Sequence, residues 1–563
     1  MHHRIALIIL AIAAVTASSG GLGAGAQLLV GVAAVPITPF GQNPDWDGTV
    51  TQSGVWGELF TDSNQNGRWN PGEPFEDDPV NSSVDPSSLN KYDGIFLAGF
   101  GNNRLATGKH DDLWARVIVL ECGPAKIAFV SLDVIGYYTS AAYYGLNEVR
   151  KLLDPGLGIQ EILVSSTHTH EGPDTIGPWG TNMLSDGKYP RYLRFVDRQI
   201  ARAIRRAAAS VSPCRMRAGR TDSRLSPSIA DMQTRTSGRP PKFCDDEMQV
   251  LQFSGIGGNL KGKTIATLVN WSTHPESMED QNTLLTSDFP HAVRETLEKK
   301  YGGLALYFSG DLGAVEIVGD TRSESGQRTS FDGRDYPLSG RSEQDAFTFE
   351  RTEAIGRDVA RAASDAIARS EPVSVRRMEI RKANVRAPMD NAGYLFLVSR
   401  GVLDALKVPA DGSAPQVETS VYSITLGSVG VLTTPGELFP ELFYGVTGHG
   451  RTDCPQADTG RPREPAVRDH MKTKYRLIIG MCPDEMGYLV PGYDFLKPQV
   501  DMAAMAFRES ADPCRNLGVP DHYHETNAAS SMLGPAWTCA AVGLLDGKDS
   551  ASKACAGLSG ESK

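Results

Sequence analysis

Strand-like runs alternate with amphipathic helical segments along most of this chain, and that alternation restricts it to an α/β architecture. WARVIVLECG (114–123) and AKIAFVSLDVIG (125–136) look like paired strands, and SAAYYGLNEVRKLLD (140–154) has helical apolar spacing. QEILVSS is strand-like again and YLRFVDRQIARAIRRAAAS is helical. EMQVLQF, KTIATLVNWS and LALYFSG continue the strands, with FPHAVRETLEKKYG and TEAIGRDVARAASDAIARS as helices between and after them. VSVRRMEIRKANVRAP and VYSITLGSVGVLTTPG read as a long strand pair. This order predicts a mixed β-sheet flanked by helices, in one domain over residues 27–563. An irregular polar stretch up to about residue 92 interrupts the pattern after the opening strand LLVGVAAVPITPF.

In open α/β sheets, ligands bind outside the carboxyl ends of strands. His168 follows QEILVSS, His274 follows TIATLVNWS and Glu437 follows SVGVLTTPG, so residues far apart in sequence could share one site. Two imidazoles and a carboxylate make a zinc-ligand set that leaves a position for water, whose pKa zinc lowers to roughly 7. His170 lies two residues from His168; on an extended segment both face one side, which suits a general acid or base. A histidine near a strand end is more often a hydrogen-bonded structural residue, and spacing alone leaves the two readings evenly balanced.

The formal net charge of −11 argues against a nucleic-acid partner. The basic run RQIARAIRR suits the solvated face of a helix. Residues 1–26 carry an export pattern: His2, His3 and Arg4, an apolar run from Ile5 to Val15, then small residues. That run is short for a membrane span, so a cleaved signal and a secreted or periplasmic protein are expected, with no transmembrane segment and membrane-surface contact left open. Eight cysteines in an exported chain favour disulfides, five of them beyond residue 450 in what reads as a loop-rich end. Near residues 55–80, Asp62 to Glu73 satisfies the calcium-loop pattern D-x-[DN]-x-[DN]-G-x5-E. Asp62, Asn64, Asn66, the Arg68 carbonyl and Glu73 would ligate a structural Ca2+.

The motifs together resemble a known family. THTHEGP is similar to the THTHSGPGG segment of neutral, non-lysosomal ceramidases, and NWSTHPESM to their NW-x-x-HPTSM segment. TTPGELFPE, GYLVPGYDF and HYHETNAASSMLGP resemble further family segments, so the likeness runs from about residue 30 to 536. It implies a ceramidase-type fold and a Zn2+ amidase acting on a small-molecule or lipid-like N-acyl substrate. It further implies His168, His274, Glu437 and Tyr488 as zinc ligands, and His170 as acid/base. Tyr523 would hydrogen-bond the oxyanion or substrate, and Arg224 would contact the same centre. Two departures stand out. Gly313 replaces a serine that meets the substrate amide, which suggests more room and a non-ceramide substrate, either an ester or a non-lipid amide. The chain also leaves no room after the last motif for an immunoglobulin-like domain. A secreted non-catalytic binding protein is the reading of another class, opposed by the intact histidines and Glu437.

Overall fold

A computed structural model describes residues 26–547 apart from 41–55, 67–68, 78–90, 183, 224–234, 238–242, 318–327, 330–334, 337–346, 407–413, 446–457, 497–499, 502–505 and 508–522. Nearly all of the export segment, together with Arg68 and Arg224, thus lies outside the described residues.

The large sheet is built from β1 (Leu28–Pro36), β2 (Trp114–Cys122), β3 (Ala125–Leu132), β4 (Glu161–Ser166), β5 (Ser212–Asp222), β6 (Glu247–Gly255), β7 (Thr264–Trp271) and β8 (Leu304–Ser309). Their spatial order is β8-β7-β6-β5-β1-β2-β3-β4, and β9 (Glu371–Val373) adds to β5. β3 and β4 run parallel, as do β7 and β8; the other neighbours are antiparallel. Ser131 of β3 donates to the Tyr307 carbonyl of β8 at 2.6 Å, and Ser309 at the end of β8 donates to Thr167 O at 2.8 Å. The sheet therefore curls until its two ends meet. The expected mixed sheet flanked by helices is what forms.

A second sheet runs β10 (Met378–Pro388), β11 (Gln416–Leu426), β12 (Val429–Thr433) and β14 (Tyr475–Ile479), the last two parallel. Between them in sequence lies the short β13 (Glu437–Leu438), which pairs in parallel with β15 (Tyr488–Leu489). One apolar core, including Leu120, Phe129, Phe253, Leu306, Ile424 and Leu477, fills the space between the curled sheet and the second one. Asn270 locks the two together by donating from Nδ2 to Phe308 O at 3.0 Å and to Ile478 O at 2.8 Å.

Helices cover the outer faces. α1 (Pro190–Ala209) starts with proline at its first position, where a missing N–H costs nothing. It buries Leu193, Val196, Ile200 and Ile204, at the i, i+3, i+4 spacing of an amphipathic helix. The basic run sits on its other face, with Arg198, Arg205 and Arg206 exposed. α2 (Phe289–Tyr301) and α3 (Phe349–Ala368) pack Val293, Leu297, Ile355 and Val359 on β6–β8. Among the described residues no helix is long and apolar enough to cross a membrane.

Three expectations need correction. The helix predicted over 140–154 shortens to Leu146–Lys151, because Gly145 at φ 109° breaks the chain just before it. The run 421–436 is not one strand: Gly427 turns at φ 60° and makes a hairpin of β11 and β12. The C-terminal part contains a helix, α4 (Leu533–Asp546), anchored by Trp537 Nε1 donating to Thr433 O at 3.0 Å.

Cys122, Cys214 and Cys482 are buried free thiols, whereas Cys539 in the C-terminal part is disulfide-bonded, so pairing holds in that end and not at these three positions. Leu28 pairs with Cys122 on one side, and Leu29 pairs with Pro213 on the other, so β1 separates Cys122 from Cys214. Two strand spacings are about 9.5 Å, beyond the roughly 7 Å that a disulfide can bridge between Cα atoms.

Candidate metal centre

Three parallel strand pairs end at one place. β4 delivers His168 and His170, β7 delivers His274, β12 leads into Glu437, and β14 leads into Tyr488. Backbone bonds tie the exits together: Gly310 N donates to Trp271 O at 3.0 Å, Gly480 N to Ser309 O at 2.9 Å, and Thr434 N to Ile479 O at 2.9 Å. Glu437 and Tyr488 are direct partners across the β13–β15 pair.

His168 adopts φ 69°, a left-handed conformation that non-glycine residues rarely hold. The segment is thus not simply extended, and alternation does not explain how His170 comes to face the same centre. The rings nonetheless converge, with centroids 5.1 Å apart for His168 and His170, 5.0 Å for His168 and His274, and 5.6 Å for His170 and His274. One nitrogen from each lies within 4.8 Å of the others. All three are buried.

Backbone carbonyls fix two of these rings. His168 Nδ1 lies 2.7 Å from Ile135 O, and His274 Nδ1 lies 2.8 Å from Val315 O. A carbonyl only accepts, so both Nδ1 atoms carry hydrogen and both Nε2 atoms are left for an electrophile. Glu437 Oε2 sits 2.8 Å from His274 Nε2 and 3.5 Å from His168 Nε2, placing three donor atoms around one point. Tyr488 stands beside them, its ring 6.4 Å from that of His274.

Burial works against charge on His274, but the Glu276 and Glu437 carboxylates outweigh it and pull the pKa up to about 10. Burial likewise raises Glu437, yet His168 and His274 hold its carboxyl well below the usual range. Without a metal the site therefore pairs an imidazolium with a carboxylate, and a cation taking the same donors replaces that proton. His170 is pushed well below its ordinary value by burial first, then by the charges of His168 and His274. It stays neutral. Neither of its ring nitrogens has a hydrogen-bond partner in the protein. The donor set, the fixed tautomers and the unmatched His170 nitrogens fit zinc held by His168, His274 and Glu437, with Tyr488 and His170 at its edge.

Solved structures bear on the fold. A neutral ceramidase from Pseudomonas aeruginosa matches 94% of this chain and 77% of its own length, with TM-score 0.52 and 14% identity. A ceramidase complexed with C2 matches at TM-score 0.53 and 13% identity, covering 94% of this chain and 76% of its own. No curated protein matches in sequence. The sequence profile of the neutral/alkaline non-lysosomal ceramidase N-terminal domain matches residues 92–385, more than half of the chain. The chain belongs to the neutral/alkaline non-lysosomal ceramidase family. In this ceramidase-family chain the profile spans His168, His170 and His274, while Glu437 and Tyr488 lie beyond its last matched residue.

Other expected residues fare differently. The backbone of Tyr523 opens a short 3-10 helix, Tyr523–Asn527, next to the site, where His524 packs 4.8 Å from Tyr488, ring to ring. Arg224 lies outside the described residues. Gly313 does not open space toward a substrate. A Cβ there would lie 2.6 Å from Glu437 O and 2.6 Å from Leu438 C, so that side faces backbone. The reading of Gly313 as a specificity switch is withdrawn.

The sequence reading missed several residues. Glu171 is fully buried and takes Arg104 Nη2 and Asn282 Nδ2, each at 2.8 Å, bracing the strand exit that carries His168 and His170. Glu276 stands 3.6 Å from His170. Its place two residues after His274 was the available clue.

Proposed function

We propose that this protein is an exported, zinc-dependent amidohydrolase that cleaves an N-acyl bond of a ceramide-like lipid amide. The observation that carries the reading is the pair of imidazoles locked by backbone carbonyls, with both Nε2 atoms turned on the same Glu437 oxygen. A bound zinc ion supplies Lewis acidity that activates water near neutral pH. His170, neutral and without a protein partner, is placed to take a proton and to return it to the departing nitrogen. Family membership supports an acyl-amide substrate, and the pattern of residues 1–26 supports export.

The test is hydrolysis by purified protein of N-acyl sphingosines of graded chain length, beside other N-acyl amides and esters, with and without a chelator. Amide cleavage lost on chelation and restored by zinc is expected. Cleavage that survives complete metal removal, or none anywhere on the panel in zinc-loaded protein, defeats the reading.

The Asp62–Glu73 loop is proposed as a structural calcium site in the same molecule. Asn66 N donates to Asp62 Oδ1 and to Asn64 Oδ1, each at 3.1 Å, and Asn64 and Asn66 both reach Asn70 Oδ1 at 2.8 Å. Oxygens from alternate positions thus gather over one turn, as oxygen-ligated calcium requires. Glu73 is buried; its oxygens accept from Ser63 N at 2.9 Å and Asn70 N at 2.8 Å. Arg68 lies outside the described residues. Calcium should raise the melting temperature, because a ligand at about 100 times its Kd adds about 2.7 kcal/mol. Asp62→Ala should abolish that increment and leave zinc content unchanged. Equal melting with calcium and with EGTA in the unmodified protein would rule the site out.

A further inference from the structure

Glu276 is a carboxylate with no structural task that its surroundings explain. It is 8% exposed, at the end of the segment that carries His274, and its ion-pair contact among the described residues is His170 Nδ1 at 3.6 Å. Burying a carboxylate costs several kcal/mol unless a partner compensates. The charge that offsets it is on His274, and next to Glu276 stands the His170 ring, whose two nitrogens are unmatched. A buried acid beside an unmatched imidazole, at a cluster of strand exits, marks a group kept for chemistry rather than stability.

The rest of the His170 environment fixes the ring without offering it another polar partner. Gly99, at φ +97°, lies flat against it: a Cβ there would sit 2.4 Å from His170 Cγ and 2.5 Å from Nδ1. The Phe100 ring meets it edge-on at 5.0 Å between centroids, and Arg104 packs over Phe100 at 5.2 Å. His170 N donates to Pro275 O at 3.0 Å, which ties its backbone to the residue beside Glu276. The contacts leave Glu276 Oε2 as the carboxylate oxygen beside Nδ1.

We infer that Glu276 is the positioning residue of His170: it holds Nδ1 protonated and turns a basic Nε2 toward the reacting atoms. At 3.6 Å the contact is longer than a hydrogen bond, and such pairs commonly tighten when substrate arrives. This rests on the hydrolytic reading above and assigns the proton path within it. Water gives its oxygen to the acyl carbon and one proton to His170 Nε2. The C–N bond then breaks, its electron pair stays on nitrogen, and the same proton passes from Nε2 to that nitrogen. A carboxylic acid and an amine result. Glu276 Oε2, 3.6 Å from Nδ1, stands beside the ring through both transfers, the place a buried carboxylate takes beside histidine in hydrolytic triads.

The experiment is Glu276→Gln in the full-length, zinc-loaded protein. Glutamine keeps the shape but removes the acid, and its amide can turn an N–H as well as its oxygen toward Nδ1, so the Nδ1–H tautomer is no longer enforced. Turnover of a short-chain N-acyl sphingosine should fall roughly 10²–10⁴-fold, with KM within about threefold and zinc content unchanged. Glu276→Asp should recover part of the loss. Nitrogen-15 spectra of labelled histidine should show the Nδ1–H tautomer at His170 in the parent protein and its loss in Glu276→Gln. The spectra decide the question even if that lipid is not turned over. A parent protein with no turnover on any amide defeats the hydrolytic reading. An active parent with an equally active Glu276→Gln, or a His170 that is Nε2-protonated or metal-bound in the parent spectra, overturns the role given to Glu276.

Discussion

Purified His274→Ala is expected to emerge without zinc and to hydrolyse no N-acyl amide above background, whereas the parent protein binds about one zinc per chain. The size of the effect follows from geometry. His274 Nε2 is the donor closest to Glu437, at 2.8 Å, and its Nδ1 is already committed to Val315 O. His168 Nε2, the other nitrogen turned on that oxygen, stands 3.5 Å from it and already has its own place in the donor set. Removing the ring also leaves Glu437 a buried carboxylate short of one partner, so the protein should melt lower as well. His170→Ala separates the roles: it should keep the metal and lose roughly 10²–10⁴-fold in turnover. Metal analysis on dialysed protein, beside single-turnover assays, checks both. A His274→Ala protein that holds a full zinc complement and works would remove the basis for the centre described.

Much of this was legible in the sequence. Continuous apolar runs such as TIATLVNW and EILVSS announced buried strands, and the helices between them carried a clear period. The placement of His168, His274 and Glu437 just past strand ends followed, because a parallel pair sends both its carboxyl ends the same way. What stayed hidden depends on contacts between distant backbones. Nothing near His168 in sequence points to Ile135 O, and nothing near His274 points to Val315 O, yet these carbonyls set the tautomers. α4 escaped notice because LGPAWTCAAVGLLD mixes glycine and proline into a nearly uniform apolar stretch, so no polar face marks its period. Glu276 was overlooked for a different reason. Beside a histidine, an acidic residue reads as ordinary polarity until burial shows that water does not solvate it.

Gly313 is where residue chemistry and packing gave opposite answers, and Gly313→Ala is expected to damage the centre rather than widen it. The position follows β8 in the turn Gly310–Val315, and its N–H donates to Leu438 O at 2.8 Å. The turn therefore lies directly on the short β13 strand that presents Glu437. An added methyl would stand 2.6 Å from Glu437 O, 2.6 Å from Leu438 C and 2.8 Å from Leu438 O, all main-chain atoms with no rotamer to move into. Either the turn or β13 must shift. Overpacking of this kind costs about 1–3 kcal/mol. Because β13 pairs with β15, a shift carries Glu437 and Tyr488 together, and zinc affinity should fall roughly 10–100-fold, the range seen when groups that orient a metal ligand are disturbed. Gly257→Ala is the control: its Cβ would meet nothing within 4 Å, and neither stability nor zinc binding should change. Chelator competition and thermal melting read the two effects separately. If Gly313→Ala binds zinc and melts as the parent does, β13 is not held in place by this turn, and room beside Glu437 exists after all.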